Sequence, residues 1–270
     1  MRMKLEILMS CMHQTDDKLV KESNITGDVV VINQCDRESY EEYPTAEGTA
    51  RIFSTTARGL TKSRNMAIAH STADVCLLCD DDEVFEENYR ETILSAYEKL
   101  PQADVIIFRM VNRPASLGEE TMRLRFPKTM KVASWQISFR RESLLKSGVR
   151  FDELLGAGSG NGAEEELKFL TDCEKAGLQI YYVPGAIASV AQEESTWFKG
   201  FDRVFFENRG ATTRYILGVP LASLYAFYYV LTKRKMYSGD ITPAGALGAT
   251  FRGIWKNKIG KQRKELENRK

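Results

Sequence analysis

Histidine is nearly absent from this 270-residue chain, which contains only His13 and His70. That scarcity argues against a histidine-built metal centre and leaves oxygen ligands as the means of holding a cation. Cysteine is sparse and odd in number: Cys11, Cys35, Cys76, Cys79 and Cys173. Cys76 and Cys79 form one CxxC, but no second CxxC or histidine pair completes a zinc site. The thiols sit mostly in apolar runs and read as packing residues of a protein from a reducing compartment. No charge-free run reaches the roughly 20 residues that a spanning helix needs. The opening MRMKLEILMSC is interrupted by Glu6 and too short in its apolar part for a secretory signal. A cytoplasmic location is therefore expected. Internal repeats and low-complexity segments are missing as well.

What is there includes enough apolar residues for a substantial core and an uneven distribution of charge. The net charge is only +1, yet eleven Lys/Arg against three acids from Thr232 onwards make the tail +8 and the body −7. Just before that basic tail, Tyr215–Leu231 is free of charge, carries Gly218, Pro220 and four tyrosines, and is followed by TKRK. It reads as an interfacial anchor, giving peripheral contact with an anionic membrane on its inner face. A buried helix or a contact within a homo-oligomer is the alternative. No nucleic-acid recognition motif accompanies the basic tail, so no nucleic acid is expected as a partner.

The first half alternates continuous apolar runs (residues 4–11, 28–34, 51–55, 75–79 and 104–110) with helix-like stretches at 61–71 and 86–100. Continuous apolarity predicts strands covered on both faces, hence an α/β fold with a mostly parallel sheet flanked by helices. Residues 135–152 predict a strand and a short helix ending near Gly148. Residues 154–184 predict a loop, a helix closed by Gly177 and a further strand, with helical structure expected after Pro184.

Ligands of open α/β sheets bind beyond the carboxyl ends of the strands. The first such end offers Ser10 to His13, the second Asn33 to Asp36, whose acid suits a base or ribose. GLTKSRN then brings Lys62 and Arg64 to a helix start, suited to a phosphate. CLLCDDDEVF delivers Asp80, Asp81 and Asp82 together, a costly cluster unless a cation sits beside it.

The residues ILMSCMHQ, GLTKSRNMAI, LLCDDDEVF, GAEEELKFL, YYVP and TWFKGF, in this order, resemble the GT-A nucleotide-sugar glycosyltransferases, specifically family 2. The resemblance covers most of residues 4–200. It implies a GT-A domain over 1–200, leaving 201–270 as a helical, basic C-terminal extension. It implies a nucleotide-sugar donor, a glycan or lipid-linked acceptor, and an inverting, Mn²⁺- or Mg²⁺-dependent transfer in capsule or lipopolysaccharide synthesis. Asp80 and Asp82 match the outer positions of the family's acidic DxD motif, with Asp82 the metal ligand. Ser10, Asp36, Lys62, Arg64, Asp80 and Asp81 fall to the donor, and Glu166, then Glu165, to the catalytic base. Trp197 falls to the acceptor side. A pairing of Glu164 with Lys168 is the structural alternative for the acidic helix start.

The sequence departs from the family in one place: AIASVAQEESTW lacks the histidine that often follows the last strand. Two rivals remain. A sugar nucleotidyltransferase usually carries a glycine-rich basic loop after its first strand, which SCMHQTDDK lacks. A non-catalytic membrane-associated scaffold has no need of an intact aspartate cluster.

Overall fold

The N-terminal apolar run forms a strand, β1 (Leu5–Met12), whose side chains feed two cores. Leu5, Ile7, Met9 and Cys11 join one core and Leu8 the other. Neither face meets water, which is why the run does not alternate between apolar and polar residues. The computed structural model describes residues 3–162, 164–190 and 200–269. These divide into two compact units, Met1–Phe151 with Glu166–Glu193, and Asp152–Glu165 with Glu194–Lys270.

In the first unit β1 is followed by α1 (Lys18–Glu22), β2 (Asp28–Gln34), β3 (Ser39–Pro44), β4 (Thr49–Thr55) and α2 (Leu60–His70). Then come β5 (Val75–Cys79), β6 (Glu83–Phe85), α3 (Tyr89–Lys99), β7 (Val105–Met110) and β8 (Met122–Arg123). The unit closes with β9 (Ile137–Arg140), α4 (Arg141–Ser147), α5 (Glu165–Lys175) and β10 (Ile180–Val190). One ten-stranded sheet runs in the order β3-β4-β2-β1-β5-β9-β7-β10-β6, with β8 beside β10. β4, β2, β1 and β5 are parallel, as are β7 and β10. β9 is antiparallel to both β5 and β7, so the principal strands all point one way. This is the expected mostly parallel α/β sheet.

Val20 of α1 and Tyr89, Ile93 and Tyr97 of α3 cover one face. Ala67 and Ile68 of α2, Leu144 of α4 and Phe169 and Leu170 of α5 cover the other. Phe151 stacks on Phe169 with ring centroids 4.3 Å apart. All five cysteines are free and buried.

Two expectations are corrected here. The chain does not turn helical after Pro184, because β10 continues to Val190. The proline is tolerated because pairing with β7 breaks register between Tyr182 and Ala186, where no ladder hydrogen bond is required of it. Glu164 does not pair with Lys168. Lys168 pairs with Asp172 one turn on, and Glu164 faces Arg209 at 3.0 Å in the second unit.

The second unit is helical, with α6 (Arg203–Thr232), α7 (Arg234–Tyr237), α8 (Pro243–Lys256) and α9 (Lys258–Glu267). Asp202 caps α6 by accepting the Phe205 N–H at 2.7 Å. α6 is interrupted at Gly218, whose φ of 77° and ψ of 172° suit only glycine, two residues before Pro220. α6 and α8 approach closely: a Cβ at Gly253 would lie 1.9 Å from the Glu207 carbonyl oxygen.

The loop that joins this unit is tied to the helices by a buried carboxylate. Asp152 accepts a hydrogen bond from the Tyr215 hydroxyl at 2.6 Å and pairs with Arg263. Burial alone would raise its carboxyl, but Tyr215, the Leu154 N–H and Arg263 together hold it below the ordinary value of 3.8. Asp152→Asn is therefore expected to destabilise the tail unit by about 2 kcal/mol at neutral pH. A depressed carboxyl contributes stability that is complete above the ordinary Asp range and is lost as pH falls through the folded value. Thermal unfolding curves of the two proteins should differ at pH 7 and converge in strong acid.

Candidate active site

The sheet order reverses at β1: β2 and β4 extend to one side and β5 lies on the other. A crevice at the carboxyl ends of strands is expected at such a switch point. Asp80, Asp81 and Asp82 follow β5 directly, and Ser10 to Met12 end β1.

Asp80 is the anchored acid. It pairs with Arg64 of α2 at 2.9 Å and accepts the Ser134 hydroxyl at 3.2 Å. The Arg64 side chain is only 1% exposed and lies over the Phe151 ring, 5.4 Å from its centroid. Arg64 was expected beside a phosphate; its guanidinium instead meets a carboxylate inside the protein. The Asp80 N–H donates to Glu83 Oε1 at 2.7 Å. Burial, and then the Asp80 charge, push the fully enclosed Glu83 carboxyl well above the usual range.

The surrounding protein, and then the Asp80 charge, also raise Asp81. Asp82 is raised by burial and by both neighbouring aspartates, against an opposing pull from Arg113. Both shifts disfavour the charged carboxylates, a penalty that a nearby cation would relieve. Among the described residues no three His, Cys, Asp or Glu side chains form a ready-made metal cage. Two carboxylates nevertheless fit Mg²⁺ or Mn²⁺, which bind through one or two acids and complete their shell with phosphate and water.

The N-terminus of α2 lies at the same end of the sheet. Its preceding Gly59 donates its N–H to Gln34 Oε1 at 2.7 Å, tying the helix start to the end of β2. Ser63 donates to Ser10 Oγ at 2.8 Å, so Ser10 is buried under α2. Lys62, in the first turn, is exposed. Beyond the ends of β1 and β2 lies an open cleft of about 310 Å³, lined by His13, Gln14, Thr15, Cys35, Asp36 and Arg37. Asp36 is 92% exposed and steered by Arg58 at 2.6 Å, which also donates to the Cys35 and Thr55 carbonyls.

Glu165 is buried and Glu166 half-buried at the start of α5. Trp197 lies outside the described residues, as do Glu193, Glu194 and Ser195. Ser134, Glu83 and Arg58 are site residues that sequence reasoning missed. Only Glu83 had a local signal, as the continuation of the acidic run.

The family model for glycosyl transferase family 2 matches residues 17–152, half of the chain, including Asp36, Lys62, Arg64 and Asp80 to Asp82. The chain belongs to glycosyl transferase family 2. A search of curated proteins finds no match. Among solved structures, the 1–349 fragment of S. aureus TarS is similar at 15% identity and a TM-score of 0.61, covering 93% of this chain and 81% of that one. Its complex with UDP-GlcNAc gives 14% identity, 93% and 82% coverage and a TM-score of 0.62. The complex with UDP gives 16%, 93%, 81% and 0.60. Identities this low show a shared GT-A-type fold, and family membership supports glycosyl transfer.

Within this family 2 member, Arg64→Met is expected to cost about 3 kcal/mol in thermal or denaturant unfolding. The lower end of the range for breaking a buried pair applies because Asp80 keeps 24% exposure.

Proposed function

We propose that the chain transfers a sugar from a nucleotide-sugar donor to a glycan or lipid-linked acceptor, with inversion and with Mn²⁺ or Mg²⁺. The product class is a surface polysaccharide such as capsule or lipopolysaccharide. The observation that carries this reading is the acidic cluster at the end of β5, beside the switch point, where Arg64 pairs with Asp80 and Asp81 and Asp82 follow directly.

Asp82, with Asp81 beside it, would hold the cation, which offsets charge growing on the departing nucleoside diphosphate. The cleft beyond β1 and β2 takes the nucleoside, with Asp36 accepting from base or ribose. Lys62 and the amino end of α2 favour the diphosphate. The TarS complexes with UDP-GlcNAc and UDP support a sugar nucleotide as the donor class. Arg64 and Ser10 act from beneath, by fixing Asp80 and α2. Glu166, with Glu165 second, takes the proton of the acceptor hydroxyl as its oxygen attacks the anomeric carbon and the bond to the diphosphate breaks.

A panel of sugar nucleotides, UDP-GlcNAc among them, tests this by thermal shift with and without Mn²⁺. One donor should raise the melting temperature in Mn²⁺ alone, and Asp82→Ala should abolish the shift. Glu166→Gln should keep the shift while transfer falls roughly 10²–10⁴-fold. Calorimetry that finds no sugar nucleotide bound in Mn²⁺ would overturn the reading.

A further inference from the structure

The part of α6 after its break at Gly218 has one packed face and one bare face. Ala222, Ala226, Tyr229 and Val230 are buried, Ala222 and Ala226 against Ile254 of α8 and Tyr229 and Val230 with Tyr237 and Ala246. Leu221, Leu224, Tyr228 and Leu231, at helical spacings of three, four and three, are exposed on the other side. Leu224 is 67% and Leu231 73% exposed. Phe227 meets Phe251 of α8 edge to face at 5.5 Å. One turn beyond Phe251, Trp255 is 67% exposed. The bare apolar surface therefore extends from α6 onto α8.

Cationic residues border it. Lys233, Arg234 and Lys235 follow the stripe, all exposed, and no acid pairs with them among the described residues. Arg252 and Lys256, beside Trp255, share Glu207. From Thr232 onwards the chain is +8.

We propose that this face docks onto the surface of an anionic lipid bilayer. Leu221, Leu224, Phe227, Tyr228, Leu231 and Trp255 enter the boundary between headgroups and acyl chains, and Lys233, Arg234 and Lys235 meet the acidic headgroups. By length and composition α6 as a whole could cross a membrane. The break at Gly218 leaves its later segment only about 21 Å long at ~1.5 Å per residue, against a hydrocarbon core of ~30 Å. That segment also buries one side against α8, so it lies in the interface. Charge selects the occupant: a second copy would bring the same +8 segment to a border that is already cationic, whereas acidic headgroups bring the opposite charge. The inference is independent of the donor chemistry.

Sedimentation of the full chain with phosphatidylcholine vesicles, with and without phosphatidylglycerol, tests it. Binding should be at least about tenfold tighter to the anionic vesicles and should weaken as salt rises. The double variants Leu224→Glu/Leu231→Glu and Lys233→Glu/Lys235→Glu should each reduce binding by about tenfold or more, with unchanged melting temperatures. Wild-type protein that stays in the supernatant, or variants that bind as tightly, would overturn the proposal. So would light scattering that finds a dimer dissociated by the leucine pair.

Discussion

The catalytic half of this molecule depends on one ion pair, Arg64 with Asp80. Three adjacent aspartates at the end of a buried strand repel one another, and a fourth acid, Glu83, follows them. The protein gives the acids different surroundings. Asp80 is paired with a guanidinium brought in by α2, and burial pushes the Glu83 carboxyl well above its usual range. Asp81 and Asp82 follow that pair, and burial and the neighbouring acids raise both of their carboxyls. Because Arg64 belongs to the helix whose amino end faces the same crevice, the pair also fixes α2 relative to β5.

The strands that the sequence made legible were β1, β2, β5 and β7, which are covered on both sides and so read as nearly continuous apolar runs. β3 was invisible for the opposite reason. SYEEYP lies at the sheet edge, half-buried on one face and exposed on the other, and carries no continuous apolar run. The end of β10 was hidden by Pro184, which normally argues against a strand, and only a register break with β7 accommodates it. The acids of the site were legible because they are consecutive. Their partners were not: Ser134 reaches Asp80 from 54 positions along the chain, out of a stretch with no periodicity. Arg64 was recognised as important, but whether it would meet a phosphate or a carboxylate depended on burial, which a charged residue's identity does not reveal.

In the tail, composition showed an uncharged, tyrosine-rich run before a basic end, and could not say which side of it faces outwards. Packing decides that. Close approach of α6 and α8 at Gly210 and Gly253 draws the small residues inwards and leaves the large ones outside. Arg209, which lies against the rings of Phe205 and Tyr229, shows how the same unit buries a charge by surrounding it with aromatic faces and Glu164.

The thiols beneath the crevice have a consequence of their own. Cys79 closes β5 directly under the aspartates, and Cys11 lies near the end of β1. Burial, followed by nearby acids, pushes Cys11 up to about 12 and Cys79 well above the ordinary thiol range. A thiol held protonated is a poor nucleophile towards peroxides and disulfides. Burial first, and the neighbouring acids second, therefore make the thiols at the base of the crevice slow to react with oxidants.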